Sequence, residues 1–268
     1  MAIITISRGS YSKGREVAEK VAERLGYACV SRDLLVETSE HFNIPEIKLV
    51  RALHDAPSVL ERFTYGKERY LAYVTSTLFH HAQKDDMVYH GLAGHFILRG
   101  VKHMLNVRIL ANIEDRVRLE MERENLRYED ALRVIKKDDD ERRQWSLKVF
   151  GVDTWDPSLY DLVIHIGKLT TDDAVKLICQ ALESDRFKTT PESQKEVDDL
   201  SCAARVKAEL VNLVPGANVS AREGTIYVDA KATLTQEAQI TDEIRALVAG
   251  VPGVKEVKVH MSPPTVYE

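Results

Sequence analysis

The sequence has little cysteine and no long apolar run. Its 268 residues include three cysteines, Cys29, Cys179 and Cys202, and no two of them have the Cys-x-x-Cys spacing of a metal or redox motif. This pattern predicts free thiols in a reducing compartment. No stretch approaches the roughly 20 apolar residues that a membrane-spanning helix needs. The N-terminus also lacks the basic region and apolar core of a secretion signal. We therefore expect a cytoplasmic protein.

An excess of positive charge is also missing. The net charge is −5 and the isoelectric point is about 6.0, so the composition predicts no nucleic-acid partner. Four histidines, His80, His81, His90 and His95, lie within sixteen positions. No cysteine or carboxylate flanks them at a recognisable ligand spacing, so we predict no structural metal site there.

The first eighteen residues carry the strongest local pattern. The β-branched run Ile3–Ile6 predicts a buried strand, and an amphipathic helix is expected from Gly14 or Arg15. Between them lies a polar turn made of Gly9, Ser10, Tyr11, Ser12, Lys13 and Gly14. In a strand–turn–helix unit, the N–H groups of the turn and the positive end of the helix dipole point at one place. The pattern therefore predicts a phosphate-binding loop.

The two glycines have the spacing of G-x-x-x-x-G-K-[ST], but the residues that follow differ. Arg15 stands for the usual lysine and keeps the positive charge, with Lys13 as a second candidate cation. Glu16 stands for the usual hydroxyl residue and would either bind Mg²⁺, directly or through water, or point away. The alternative is a glycine turn that binds no ligand.

Four more strands alternate with helices up to about residue 184, at 28–30, 86–89, 107–110 and 160–166. This alternation predicts an α/β fold with a parallel five-stranded sheet and helices on both faces. Arg32 and Asp33 follow the second strand, where open α/β sheets place ligand groups, although Arg32 is equally well explained as a solvated loop charge. Gly91 begins a small-residue turn after the third strand.

The last part of the chain has a different pattern. Residues 185–196 are rich in Ser, Lys, Thr, Pro and Glu and predict a linker between domains 1–184 and 197–268. Beyond it we expect a helix over 200–213, two strands, a helix over 235–248 and a final strand. This αββαβ unit forms a small α+β domain.

Four stretches of the first domain together resemble the cytidylate kinase-like family, within the nucleoside monophosphate kinase group of P-loop proteins. They are Ile4–Arg8 with Gly14–Glu16, Ser31–Leu35, Val88–Gly91 with Phe96–Leu98, and the run Asp138–Arg143 leading to Tyr160–Lys168. The resemblance implies a three-layer P-loop fold that uses ATP and Mg²⁺ and transfers a phosphoryl group to a nucleoside monophosphate. It also implies helical acceptor and lid insertions.

The resemblance further implies roles for individual residues. The loop from Gly9 to Arg15 would hold the donor phosphates. Arg32, Asp33, Gly91 and the helical residues 37–84 would form the acceptor side. Residues 123–145 would be a mobile lid that brings Arg142 or Arg143 to the transferring phosphoryl group, and Gly167 would border the donor base.

Two departures from the family pattern leave the activity open. Typical cytidylate kinases have Gly-Arg-Asp after the third strand, where this chain has Gly91-Leu92-Ala93, and so both polar contacts to CMP are missing. Tyr11 and Lys13 stand where the family favours glycine. The chain would be either a phosphotransferase with a changed acceptor or a nucleotide sensor without catalysis.

The tail resembles a BON domain, a module often found in bacterial envelope proteins. The run Gly250-Val-Pro-Gly-Val and the turn Glu223-Gly224 carry this resemblance. It implies a regulatory module that binds phospholipid or another small ligand. The alternatives are a lipid-docking adaptor, for which Lys255 and Lys258 supply little charge, and a structural or homodimerisation element.

Overall fold

The computed structural model describes residues 2–31, 33–44, 66–91 and 93–264. Arg32, Leu92 and most of the first half of the predicted acceptor segment lie outside the described residues. Among the helices of the described ranges, none has the length and apolar content to cross a bilayer.

Five parallel strands form the central sheet, as predicted. They are β1 (Ile3–Arg8), β2 (Ala28–Val30), β3 (Met87–His90), β4 (Met104–Ala111) and β5 (Leu162–Ile166), in the order β2-β3-β1-β4-β5. The chain builds one side of the sheet after β1 and then crosses to the other side with β4. A crevice at the carboxyl end of β1 is the place where such sheets bind ligands.

Helices cover both faces of this sheet. Helices α1 (Gly14–Leu25) and α7 (Thr171–Ala181) pack on one face, where alternate residues of the strands, such as Ile4, Ile6 and Val107, are buried. The opposite face carries α2 (Asp33–Phe42), α3 (Gly66–Ala82) and the short α4 (Gly94–Ile97). The three-layer α/β architecture is therefore confirmed.

Two further helices lie beside the glycine turn. Helices α5 (Ile113–Glu124) and α6 (Tyr128–Phe150) form a small apolar core of their own, and Tyr11 of the turn packs against it. The far end of α6 is anchored by Trp145, which is buried in the core around α3. Helix α6 thus connects the region of the turn with the body of the domain.

The tail has the predicted αββαβ order and forms a mixed three-stranded sheet. Its elements are α8 (Pro191–Leu210), β6 (Asn218–Arg222), β7 (Thr225–Lys231), α9 (Glu237–Ala249) and β8 (Glu256–Ser262). Strands β6 and β7 are antiparallel, whereas β7 and β8 are parallel.

The first helix of the tail, α8, begins earlier in the chain than predicted. It begins at Pro191 rather than near residue 200, so half of the stretch predicted as a linker is helical. Thr190 and Ser193 form a capping box, and proline is favoured in the first helical turn. Serine, proline and glutamate therefore mark a helix start here. The domain limits themselves stay a prediction.

Helix α8 contributes buried residues to two hydrophobic cores. Val197 and Ala208 of α8 are buried against α3 and the first domain, while Val206 and Leu210 are buried in the core of the tail. Asn212, just beyond α8, donates a hydrogen bond from its amide to the Tyr73 hydroxyl (3.1 Å). The tail is therefore joined to the first domain by continuous packing.

Candidate functional site

The turn between β1 and α1 has the backbone of an anion-binding loop. Tyr11 and Lys13 have φ of 57° and 62°, which is the left-handed conformation. In a turn where left-handed and right-handed residues alternate, successive backbone N–H groups point to the inside of the turn. The first helical hydrogen bond of α1 runs from the Val17 N–H to the Lys13 carbonyl (3.1 Å). The N–H groups of Gly14, Arg15 and Glu16 make no hydrogen bond to any described residue. They fit an anion at the positive end of the helix.

Close packing against Arg8 explains Gly14. A Cβ atom at this position would lie 2.7 Å from the Arg8 Cβ, which is too close for any side chain. Ser12 fixes the other half of the turn, because its hydroxyl lies 3.0 Å from both the Gly9 and the Ile109 carbonyl oxygens. The loop is thus held against β1 and β4.

A carboxylate from α6 closes over the base of the loop. Asp139 accepts hydrogen bonds from the Ser10 N–H (2.9 Å) and from Nη2 of Arg116 (2.6 Å). Arg116 also donates from Nε to the Ser10 carbonyl (2.6 Å). We call these three residues the loop clamp. A second contact joins Tyr11 to α5, where Arg123 donates to the Tyr11 hydroxyl (2.8 Å).

A cavity of about 520 Å³ opens at the carboxyl ends of β1, β3 and β4. Its charged lining is Arg8, Arg15, Asp33, Arg108, Asp139 and Arg142. Arginines outnumber carboxylates, and Asp139 is already bonded within the loop clamp. The cavity therefore favours an anionic ligand.

Two histidines of this cavity are neutral at physiological pH. Burial, with Arg8 nearby, lowers the pKa of His90 to about 4. Burial together with Arg108 lowers the pKa of His95 to about 4 as well. They can accept or donate hydrogen bonds, but they add no charge near pH 7.

The structure brings some of the predicted site residues together and separates others. Those that line the cavity are Gly9, Arg15, Asp33, Gly91 and Arg142. Those that lie outside its lining are Ser10, Tyr11, Ser12, Lys13, Gly14, Glu16, Arg143 and Gly167. Several of the second group shape the loop through their backbone rather than by lining the cavity.

Glu16 points away from the loop. Its carboxylate accepts a hydrogen bond from the Thr171 hydroxyl (2.8 Å) and pairs with Nζ of Lys20 (3.0 Å). Burial would raise the pKa of Glu16, but the bonds from Thr171 and Lys20 hold it below its usual value. Among the described residues no group of three potential ligands could hold a metal ion. Glu16 itself is engaged by Thr171 and Lys20 and therefore does not fit a direct ligand of Mg²⁺.

The two arginines of the predicted lid have different surroundings. Arg142 lines the cavity, whereas Arg143 forms a double hydrogen bond with Asp153 (2.6 and 3.0 Å) and lies over the Trp155 ring. Gly167 is in a tight turn, where its N–H donates to the Leu169 carbonyl (3.1 Å).

Sequence reasoning missed several residues of the cavity. Arg8, His95, Arg108 and Asp139 all line it, yet none was predicted as a site residue. The available signal was a charged residue inside an apolar strand, Val107-Arg108-Ile109, which elementary burial rules disfavour. Asp139 is one of four consecutive acidic residues, and the sequence does not indicate which of these carboxylates contacts the loop.

Comparisons with known proteins agree with this fold. The chain belongs to the Cytidylate kinase-like family, whose model matches residues 3–168, more than half of its length. It is 25% identical over 178 residues to a cytidylate kinase from Pyrobaculum aerophilum, a match that covers 66% of this chain and 90% of that protein.

The fold is shared with a solved structure. An uncharacterized protein from Eubacterium ventriosum matches with a TM-score of 0.55 and 24% identity, over 69% of this chain and 99% of that one. Shikimate kinase from Bacteroides thetaiotaomicron matches over 68% of this chain and 99% of that one, with a TM-score of 0.44 and 10% identity.

Proposed function

We propose that the first domain transfers the γ-phosphoryl group of ATP to a nucleoside monophosphate or a similar small acceptor. The observation that carries this proposal is one cavity bounded by an anion-binding loop on one side and by Arg142 on the other. Family membership supports a phosphotransferase. The missing polar pair at residues 92 and 93 argues against CMP as the preferred acceptor.

The chemistry that ATP supplies is transfer of its γ-phosphoryl group to an acceptor oxygen, with ADP as the leaving group. The free N–H groups at the start of α1 and the guanidinium of Arg15 would bind and orient the donor phosphates. Arg142 would stabilise the charge on the transferring group. Helix α6 would exclude water from the cavity and so limit hydrolysis. Mg²⁺ would enter with the donor, held by phosphate oxygens and water rather than by Glu16.

The test is ADP formation by the full chain with ATP, Mg²⁺ and a panel of nucleoside monophosphates. We expect ADP formation that depends on one class of acceptor and is matched by an equal amount of acceptor diphosphate. Arg142→Ala should lower its rate about 100-fold or more. ADP formation that is independent of every acceptor would contradict the proposal.

A nucleotide sensor is the second candidate. The triplet Gly91-Leu92-Ala93 contains no polar side chain for an acceptor, and Glu16 is bonded to Thr171 of α7. A sensor would be stabilised by ATP in a thermal-shift measurement without turnover on any acceptor.

For the tail we propose a BON-type module that binds phospholipid or another small ligand and regulates the first domain, with homodimerisation as the alternative. Its support is the αββαβ order together with the Gly250–Val254 run. Co-sedimentation of the full chain with anionic and with neutral vesicles tests lipid binding. Light scattering of the same sample tests the dimer. We also propose that the protein acts in the cytoplasm.

A further inference from the structure

A second cavity lies at the junction of the first domain and the tail. Its volume is about 550 Å³, within the range of sites that bind small molecules. Helices α2 and α3 line it on one side, and α8, the end of α9 and residues Gly250–Pro252 line it on the other. We call this space the junction cavity. Residues of the Gly250-Val-Pro-Gly-Val run thus form part of a wall that the tail shares with the first domain.

The junction cavity contains a guanidinium group without a partner. Arg205 of α8 lines the cavity, and its Nε is buried and makes no hydrogen bond. No hydrogen bond or ion pair joins the rest of this side chain to a described residue. A partly buried cation without an acceptor is unfavourable, and a planar guanidinium matches the two oxygens of a carboxylate. Arg205 therefore favours a carboxylate in the cavity.

A group of opposite charge lies one helical turn further along α8. Glu209 also lines the junction cavity, and it is exposed and forms no ion pair with a described residue. It follows Arg205 by four positions, so the two side chains lie on the same face of the helix. Across the cavity, Glu37 is already paired with His81 (2.6 Å). A ligand that contacts both Arg205 and Glu209 needs an anionic group and a cationic group.

The rest of the lining includes apolar side chains. Phe42 is stacked on Tyr73 with 4.1 Å between the ring centroids, and Val251 is 8% exposed. Leu247 is 44% exposed, so a ligand that covers it gains hydrophobic stabilisation. Burial lowers the pKa of His80, which therefore adds no charge near pH 7. With two carboxylates and one guanidinium in the lining, the cavity disfavours a polyanion such as a nucleotide.

We propose that the junction cavity binds a small zwitterion with an apolar side chain, which is the chemistry of a hydrophobic amino acid. Arg205 would hold the carboxylate, Glu209 the ammonium group, and Leu247 with Val251 the side chain. This inference rests on the proposed regulatory role of the tail, and it names the class of ligand and the place where it binds.

Helix α2 connects the junction cavity with the cavity at the central sheet. Asp33 and Leu34 at its start line the cavity at the sheet, whereas Glu37 and Phe42 further along line the junction cavity. A ligand that holds the end of α2 against the tail therefore also acts on the proposed acceptor side. By linkage, the amino acid and the acceptor would change each other's affinity by the same factor.

Calorimetric titration of the full chain with L-leucine tests the site. We expect the wild-type protein to bind leucine, and to bind glycine, which lacks the apolar side chain, at least tenfold more weakly. We expect the same loss for isocaproate, which lacks the ammonium group, and for isoamylamine, which lacks the carboxylate. If leucine does not bind, or if either analogue binds as tightly as leucine, the proposal is wrong.

Variants of the lining test the assigned contacts. Arg205→Gln and Glu209→Gln should each weaken leucine binding at least tenfold, and Arg205→Lys, which keeps the charge but loses the planar fork, should weaken it less. Leu247→Ala should weaken it a few fold. Arg222→Gln on β6 is the matched control, because that side chain is exposed and lies outside the cavity lining.

Two of these variants keep the test decisive if Arg205→Gln folds poorly. Glu209 and Leu247 are exposed, so their replacement leaves the hydrophobic cores intact. Unchanged leucine binding in both Glu209→Gln and Leu247→Ala would overturn the proposal.

Reaction rates separate this inference from the proposed function. With ATP, Mg²⁺ and the preferred nucleoside monophosphate, saturating leucine should change the KM of the acceptor at least twofold in the wild-type protein and leave it unchanged in Arg205→Gln. If leucine binds but no acceptor is phosphorylated, the junction site is supported and the proposed kinase activity is overturned. If an acceptor is phosphorylated but leucine does not bind, the proposed activity is supported and the junction site is overturned. If leucine binds without any change in KM, the connection through α2 is overturned.

Discussion

Lys13 combines a strained backbone with a candidate charge. A non-glycine residue in the left-handed region costs about 1–2 kcal/mol, and Lys13 adopts φ of 62°. We expect Lys13→Gly to be more stable than Lys13→Ala by about 1 kcal/mol, because glycine removes the strain. Both variants lose the charge and should weaken ATP binding alike. Urea unfolding and titration with a fluorescent ATP derivative measure the two effects. A glycine variant less stable than the alanine variant would rule out strain at this residue.

The paired arginines of α6 offer a matched comparison. Arg142 lines the cavity, and its replacement by alanine should lower the turnover number about 100-fold or more, with little change in stability. Arg143 is bonded to Asp153 and lies outside the cavity lining, so Arg143→Ala should lower stability slightly and affect turnover much less. Initial rates measure the turnover of the two variants, and thermal melts measure their stability. Equal rate losses in the two variants would contradict these roles.

At the scale of elements, the loop clamp couples helix α6 to the glycine turn between β1 and α1. Asp139→Ala leaves the buried Arg116 without its carboxylate, and we expect a loss of about 1.5–3 kcal/mol in the free energy of unfolding. ATP affinity should fall too, because the loop loses the bond to its Ser10 N–H. Asp140→Asn on the exposed side of α6 is the control. The prediction fails if the two variants have the same stability and the same ATP affinity.

Periodicity predicted most of the elements, because strand and helix patterns are local. Strand β2 has the expected limits, Ala28–Val30. The limits of α8 were missed, since a polar helix start and a linker have similar compositions. The direction of Glu16 was also left open, because it depends on Thr171, which is 155 residues away along the chain.

At the scale of the whole molecule, α8 should make unfolding cooperative. Val197 is buried against the first domain and Val206 in the core of the tail, both with no exposed surface. Replacing either with alanine should cost about 2 kcal/mol. If the shared helix couples the two cores, calorimetry will show one transition that shifts down in both variants. Two transitions, each shifted by only one variant, would show that the units unfold independently.

Stability should also depend on pH through the buried histidines. His90 and His95 have a pKa of about 4 when folded and about 6.5 when unfolded. Between these values the unfolded chain binds more protons, so the stabilisation is complete above pH 6.5 and is lost as the pH falls towards 4. The loss should be on the order of 2–3 kcal/mol per histidine.

Urea unfolding at pH 7.5 and pH 5.0 measures this effect. His95→Gln should lose less stability between the two pH values than wild-type protein does. His260→Gln is the control, because His260 is exposed in the tail. An equal loss of stability in all three proteins would show that His95 does not contribute.

The sequence by itself determined the order of the elements, the parallel sheet and the place of the glycine turn between β1 and α1. These follow from side-chain periodicity and from glycine spacing, which act over a few neighbouring residues. Tertiary structure decided which arginine lines the cavity, where Glu16 is bonded, and that Arg108 is buried in the floor of the site. Each of these depends on contacts between residues far apart in the chain, and no local pattern records which distant partner a charged side chain meets.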